Sequence, residues 1–167
     1  ADMRLAYVLY EMGNVAAAEN VAFNGMRTLC GFKPSMVKIC TDVEIARGIY
    51  PIASKYNNML LKTLHYRKWA RMRQDIIDGV APIESVPEIE RTKSVLPEED
   101  GFIIDPSPVE DLYRILDTNP SDRKAVEYTL GLLLLSKDYD AVYEFVKKYY
   151  QGGTLPTPVQ EALVFMW

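Results

Sequence analysis

Histidine is nearly absent from this 167-residue sequence. The single one, His65, excludes an H-E-x-x-H zinc helix, a facial triad and any histidine pair. A serine-histidine-acid triad would have to use that same residue, and no G-x-S-x-G elbow accompanies it. Next to Tyr66 on a crowded helix, His65 is given a structural role. Cysteine is almost as scarce. Cys30 and Cys40 are too few for a disulfide framework and lack the close paired spacing of a zinc site. Each is expected to be a small buried apolar residue, with a disulfide between them as the lesser alternative. Gly152-Gly153 has neither the lysine nor the helix start of a phosphate loop. No catalytic, cofactor-binding or metal-ligating residue is therefore assigned, and the chain is expected to be non-enzymatic.

Two further shortages bear on partners. The longest apolar stretch, around Leu130 to Leu135, falls far short of the roughly 20 residues that a membrane helix needs. The 19 Lys and Arg residues are outnumbered by 23 Asp and Glu, for a net charge of -4. That balance argues against a dedicated nucleic-acid binder, so none is expected as a partner. What remains is ordinary globular composition, 49% apolar and 25% charged, at the length of about one domain. The chain opens at Ala1-Asp2-Met3 directly into a helical pattern and stops at Phe165-Met166-Trp167 inside an apolar segment begun at Pro158. It is expected to be a fragment of a longer protein.

Repetition is the strongest positive signal. Leu5, Val8, Leu9 and Met12 recur at helical spacing, Gly13-Asn14 interrupts, and Val15, Ala18, Val21, Ala22 and Met26 resume the period. A second copy has Val37, Cys40, Val43 and Ile45-Ala46 before Gly48, with Ile52, Ala53, Tyr56, Met59 and Leu60 after it. Gly13 matches Gly48, and Ala18 matches Ala53. Each glycine can supply the positive φ that ends a helix, and each alanine lets paired helices approach closely. A third copy runs from Asn119-Pro120-Ser121-Asp122 through Leu130-Gly131-Leu132 to Asp138-Tyr139 and Phe145, where Ser121 or Asp122 would cap the next helix. No glycine stands at its turn. A helical hairpin repeated about every 34 residues is the tetratricopeptide signature. The expected fold is therefore all-α: antiparallel hairpins over about 3–30, 35–64 and 120–150, stacked as a tetratricopeptide-like superhelix in a single domain.

The period fails between Asp78 and Glu110. Pro82, Pro87, Pro97, Pro106 and Pro108 interrupt it, and acids dominate the charge. An irregular strap over about 78–108 is expected, packed on the repeats through Ile83, Val86, Ile89, Phe102, Ile103 and Ile104. A short helix from Pro108 to about Asp117 should follow, and a further one should start at 158–167.

The one conspicuous charge feature is basic. Lys55, Lys62, Arg67, Lys68, Arg71 and Arg73 occur with no acid among them, interleaved with Tyr56, Tyr66 and Trp69. Lys55, Lys62, Arg67, Lys68, Trp69, Arg71 and Arg73 form a candidate interaction patch for phosphate, anionic headgroups or an acidic partner. The competing assignment, favoured here, is one long helix whose charges meet the acidic strap of the same chain.

The run Val43-Glu44-Ile45-Ala46-Arg47-Gly48-Ile49-Tyr50-Pro51-Ile52-Ala53, continued by Leu61-Lys62-Thr63-Leu64-His65-Tyr66-Arg67-Lys68-Trp69-Ala70, resembles a family of bacterial integral membrane proteins of unknown function. So do Asn119-Pro120-Ser121-Asp122-Arg123 and the Pro158 to Leu163 helix start. In that family a multi-span N-terminal half precedes a tetratricopeptide-like C-terminal half. The resemblance implies that this is a soluble fragment of a parent held in the bacterial inner membrane through a missing N-terminal region. It carries over no active residue. The expected function is a non-enzymatic protein-protein interaction or scaffolding module for a protein or peptide partner. The alternative is an accessory domain of a membrane enzyme or transporter whose active half lies elsewhere.

Overall fold

The structure, a computed structural model, describes residues 2–28, 31–96, 108–150 and 154–164. Among them there is no strand. The chain divides into two compact units, Ala1–Phe102 and Ile103–Trp167. The first contains α1 (Asp2–Glu11), α2 (Val15–Thr28), α3 (Pro34–Ala46), α4 (Tyr50–Leu61), α5 (Arg67–Ile77), a 3-10 turn at Ile83–Ser85 and α6 (Pro87–Ser94). The second contains α7 (Pro108–Thr118), α8 (Arg123–Ser136), α9 (Tyr139–Tyr149) and α10 (Thr157–Val164). No helix among the described residues is long and apolar enough to cross a membrane.

In the first unit the hairpins turn where the sequence places them. Gly13 and Gly48 close the α1–α2 and α3–α4 connections with φ of +80° and +77°. Such angles penalise any side chain with a Cβ, which is why glycine stands at both turns. After Gly48 the Ile49 amide donates to the Glu44 carbonyl at 2.8 Å, satisfying a carbonyl that the end of α3 would leave open. Pro34, Pro51 and Pro87 then lie at the first turns of α3, α4 and α6, where a missing N–H costs nothing.

Helix α3 is the centre of this unit. It packs on α1, α2, α4, α5 and α6, and from Met36 to Ala46 only Lys38 escapes burial. A helix enclosed on every side needs partners for its polar groups. Thr41 answers this by donating from Oγ1 to the Val37 carbonyl at 2.8 Å, while Asp42 and Glu44 recruit arginines. Ala18 and Ala53 are fully buried in the clusters on either side: Ala18 with Tyr10, Met36 and Cys40, Ala53 with Ile45, Ile76 and Ile89. Replacing either by leucine is expected to cost roughly 1 to 3 kcal/mol through overpacking. Urea unfolding checks this. An unchanged midpoint in both variants would remove the alanines from the helix contacts.

Two stretches differ from expectation. The 78–96 part of the strap is not wholly irregular, because Pro87 starts an eight-residue helix, α6, with Glu88 and Glu90 in its first turn and Arg91 and Lys93 in its last. That charge order suits the helix dipole, and the proline is an initiator here rather than a breaker. Val86 and Ile89 are buried against α3 as the apolar pattern requires, whereas Phe102, Ile103 and Ile104 lie outside the described residues. The basic run is not one long helix either. Leu60 to Tyr66 forms a turn, fixed by Thr63 Oγ1 donating to Leu60 O at 2.7 Å and accepting from the Tyr66 amide at 3.2 Å. Helix α5 then begins anew and is tied to α4 by Asn57, whose Nδ2 donates to Ala70 O at 2.9 Å and Gln74 Oε1 at 3.0 Å.

In the second unit Asp122 caps α8, accepting from the Lys124 and Ala125 amides at 3.0 and 3.3 Å. The turn without glycine is made by Lys137 in the left-handed region (φ 59°), after which Asp138 caps α9 by accepting from Ala141 N at 3.1 Å. Tyr113, Phe145 and Tyr149 pack ring against ring where α7 meets α9, with Phe145 fully buried.

Candidate functional site

The first unit holds a cavity of about 620 Å³ lined from one layer of helices. Helix α1 contributes Met3, Arg4, Tyr7, Val8 and Tyr10; α3 contributes Ser35, Lys38, Ile39 and Asp42; the start of α5 contributes Tyr66, Trp69 and Arg73; and α6 adds Glu88. Each set repeats at three or four residues, the spacing that brings side chains onto one face of a helix. Because α1 and α3 open successive hairpins and α5 follows them, the three lie side by side, α1 on α3 and α3 on α5.

One wall is an ion pair joined to an aromatic ring. Arg73 grips Asp42 through two hydrogen bonds, Nε to Oδ1 at 3.0 Å and Nη2 to Oδ2 at 3.3 Å, with both side chains largely withdrawn from water. The Arg73 guanidinium also lies 4.1 Å from the Trp69 ring centre, and Lys38 Nζ lies 4.8 Å from it. Burial pushes the Asp42 carboxyl up to about 6, even though Arg73 and Lys38 pull it down. The Tyr10 hydroxyl is buried beside Thr92, and burial raises its pKa, so it keeps its proton. Thr92, close to Tyr10, sends its own hydroxyl to the Glu88 and Tyr10 carbonyls at 3.0 and 3.4 Å.

A second charged cluster lies at the α2–α3–α4 contact. Arg47 Nη1 donates to Glu19 Oε2 at 2.9 Å and to Glu44 Oε1 at 3.1 Å, and the Tyr56 hydroxyl donates to Glu19 Oε1 at 3.5 Å. Burial, then the neighbouring Glu19 charge, pushes Glu44 up to about 7. Cys40, fully buried with a free thiol, is pushed up to about 12 by burial and by the same two glutamates, so it is an inert core residue as expected. Cys30 lies outside the described residues. Among the described residues no group of three or more His, Cys, Asp or Glu is placed to hold a metal.

The Glu44 shift has a testable sign. Its folded value lies above the ordinary 4.5, so between those limits the native state binds more protons than the unfolded chain. The stabilisation is complete below about 4.5 and is lost as pH rises through about 7. Screening by nearby water leaves about 1 to 3 kcal/mol of pH dependence attached to this residue. Urea titrations of the parent and Glu44→Gln at pH 5 and pH 7.5 measure it. The parent should lose more stability than the variant on going to pH 7.5, and equal losses would detach the effect from Glu44.

The structure divides the candidate patch. Lys55, Lys62, Arg67, Lys68 and Arg71 are exposed, whereas Trp69 is half-buried and Arg73 is buried, both turned to the cavity. The attraction expected between the patch and the acidic strap is not realised as ion pairs over 78–96, and Glu98, Glu99, Asp100 and Asp105 lie outside the described residues. Among the described residues none joins those five cations to an acid between 78 and 96, and Arg73 pairs with Asp42 of α3 instead. His65 is exposed and stacks edge-on against Tyr66 at 4.8 Å. Sequence reasoning missed Arg4, Lys38 and Asp42. A signal existed for Asp42, since an acid within the apolar run Val37 to Ala46 requires a buried cation.

No curated protein and no solved structure matches the chain. The model of a family of unknown function, DUF6057, matches residues 1–167. The chain with this cavity and this Asp42–Arg73 pair therefore belongs to the DUF6057 family.

Proposed function

We propose that the chain is a non-enzymatic protein-interaction or scaffolding module of tetratricopeptide-like build, the soluble part of a membrane-anchored protein, and that it holds a segment of its partner in the α1–α3–α5 cavity. The cavity carries this reading. Its volume of about 620 Å³ is of the size that sites for small ligands and side chains have, and Tyr7, Tyr66 and Trp69 supply the rigid aromatic surface from which recognition pockets are made. Its place on the layer shared by successive hairpins supports the repeat assignment, because stacked hairpins bind partners along such a layer. The membrane-anchored parent rests on the sequence resemblance alone.

Photo-crosslinking in the native host tests the proposal. With p-benzoylphenylalanine replacing Tyr7, exposed at the cavity rim, one discrete polypeptide should be captured, and Trp69→Leu should abolish the capture. The same photolabel replacing Glu90, exposed on α6 and not part of the cavity wall, should capture nothing. No adduct at position 7, or identical adducts at both positions, would refute the reading.

A further inference from the structure

We infer that the group this cavity takes from its partner is a single carboxylate, that of an acidic side chain flanked by apolar residues in a peptide. The inference rests on the reading of the chain as an interaction module and specifies its ligand. Charge sets the class. Asp42 and Arg73 neutralise one another through two hydrogen bonds, which leaves Arg4 and Lys38 facing the cavity. Among the described residues neither has a carboxylate within ion-pair distance. Against them stands Glu88 on α6, so the wall carries one uncompensated positive charge. One carboxylate balances that charge. A phosphate dianion would exceed it and would meet Glu88 and Asp42 in repulsion.

The position of the cations favours an anion too. Lys38 Nζ lies 4.8 Å from the Trp69 ring centre, a contact that favours one placement of the ammonium and so reduces the entropy lost when it pairs with an incoming anion. Around these polar groups the walls from Met3, Val8 and Ile39 are apolar. They accept methylenes and branched side chains on either side of the acid and lower the local dielectric around its charge.

Peptide arrays probed with the labelled 167-residue chain test the inference. Each N-acetylated heptapeptide with a central Glu between apolar residues is printed beside versions carrying Gln or phosphoserine there, and beside a Gln version ending in a free terminal carboxylate. The Glu peptides should retain about tenfold more protein than their Gln partners, as expected for a desolvated charge-assisted contact. That ratio should collapse towards one in the double variant Arg4→Gln/Lys38→Gln, whose sites are at the surface, and Trp69→Leu should weaken every peptide. Reversing Lys62, Arg67, Lys68 and Arg71 to glutamate should leave the ratio in place. Equal retention of Glu and Gln peptides overturns the inference and leaves the interaction module standing. Preference for phosphoserine or for the terminal carboxylate overturns it as well, and so does a ratio lost only on reversing the four outer cations. Failure to retain any peptide overturns both the inference and the module.

Discussion

Arg73→Leu is expected to destabilise the protein by about 3 to 5 kcal/mol at neutral pH, because the Asp42 carboxyl loses its bidentate partner and must either stay charged in the interior or take up a proton there. The double replacement Asp42→Leu/Arg73→Leu should recover most of that loss, since two apolar side chains carry no desolvation penalty. The single variant should also regain stability on acidification. Asp42 already sits near 6 with the arginine in place, and without it the carboxyl takes up its proton at still higher pH. Its folded value then lies further above the unfolded one, so stability present at pH 5 is lost as pH rises to 7.5. Urea unfolding of parent, single and double variants at those two pH values checks the set. A single variant as stable as the parent at pH 7.5 would mean that Asp42 is solvated, and the cavity wall as described would be wrong.

Gly13→Ala should cost more than Gly48→Ala although both residues have nearly the same φ. At Gly48 an added Cβ meets open space, so only the left-handed backbone is penalised, at about 1 to 2 kcal/mol. At Gly13 the same atom runs into the Val95 carbonyl just beyond α6. Backbone cannot swing aside as a side chain does, and an overpacking cost of about 1 to 3 kcal/mol adds to the conformational one. Thermal unfolding should place Gly13→Ala clearly below Gly48→Ala. Equal melting temperatures would mean that α6 does not close over the α1–α2 turn.

The hairpins were legible because their information is local. A glycine with positive φ, an alanine five residues later and an aspartate before a helix each act within one turn of chain, and Gly13, Gly48, Ala18, Ala53 and Asp122 all occupy the places that the spacing assigned, whereas the turn expected at Asp138-Tyr139 falls one residue earlier, at Lys137. Proline misled at α6 because the same residue breaks a helix interior and opens a helix start, and only the burial of Val86 and Ile89 decides between the two. The site was legible by half. Trp69 and Arg73 stand out in sequence, but the partner of Arg73 is Asp42, 31 residues away, and nothing local states which face of α5 meets α3. The basic run looked continuous until the Thr63 turn broke it after Lys62, and on α5 the helical phase turns Arg67, Lys68 and Arg71 outward while Trp69 and Arg73 line the cavity.

If the α1–α3–α5 cavity is where a partner is held, Trp69 reports on it directly. In a Trp167→Phe variant Trp69 is the only tryptophan left, half-buried beside Lys38 and Arg73. A peptide that binds the chain, by fluorescence anisotropy of its own label, should shift the Trp69 emission to shorter wavelength and shield it from iodide, over the same concentration range. Saturating binding with Trp69 emission and iodide quenching unchanged would place the partner elsewhere and contradict the account.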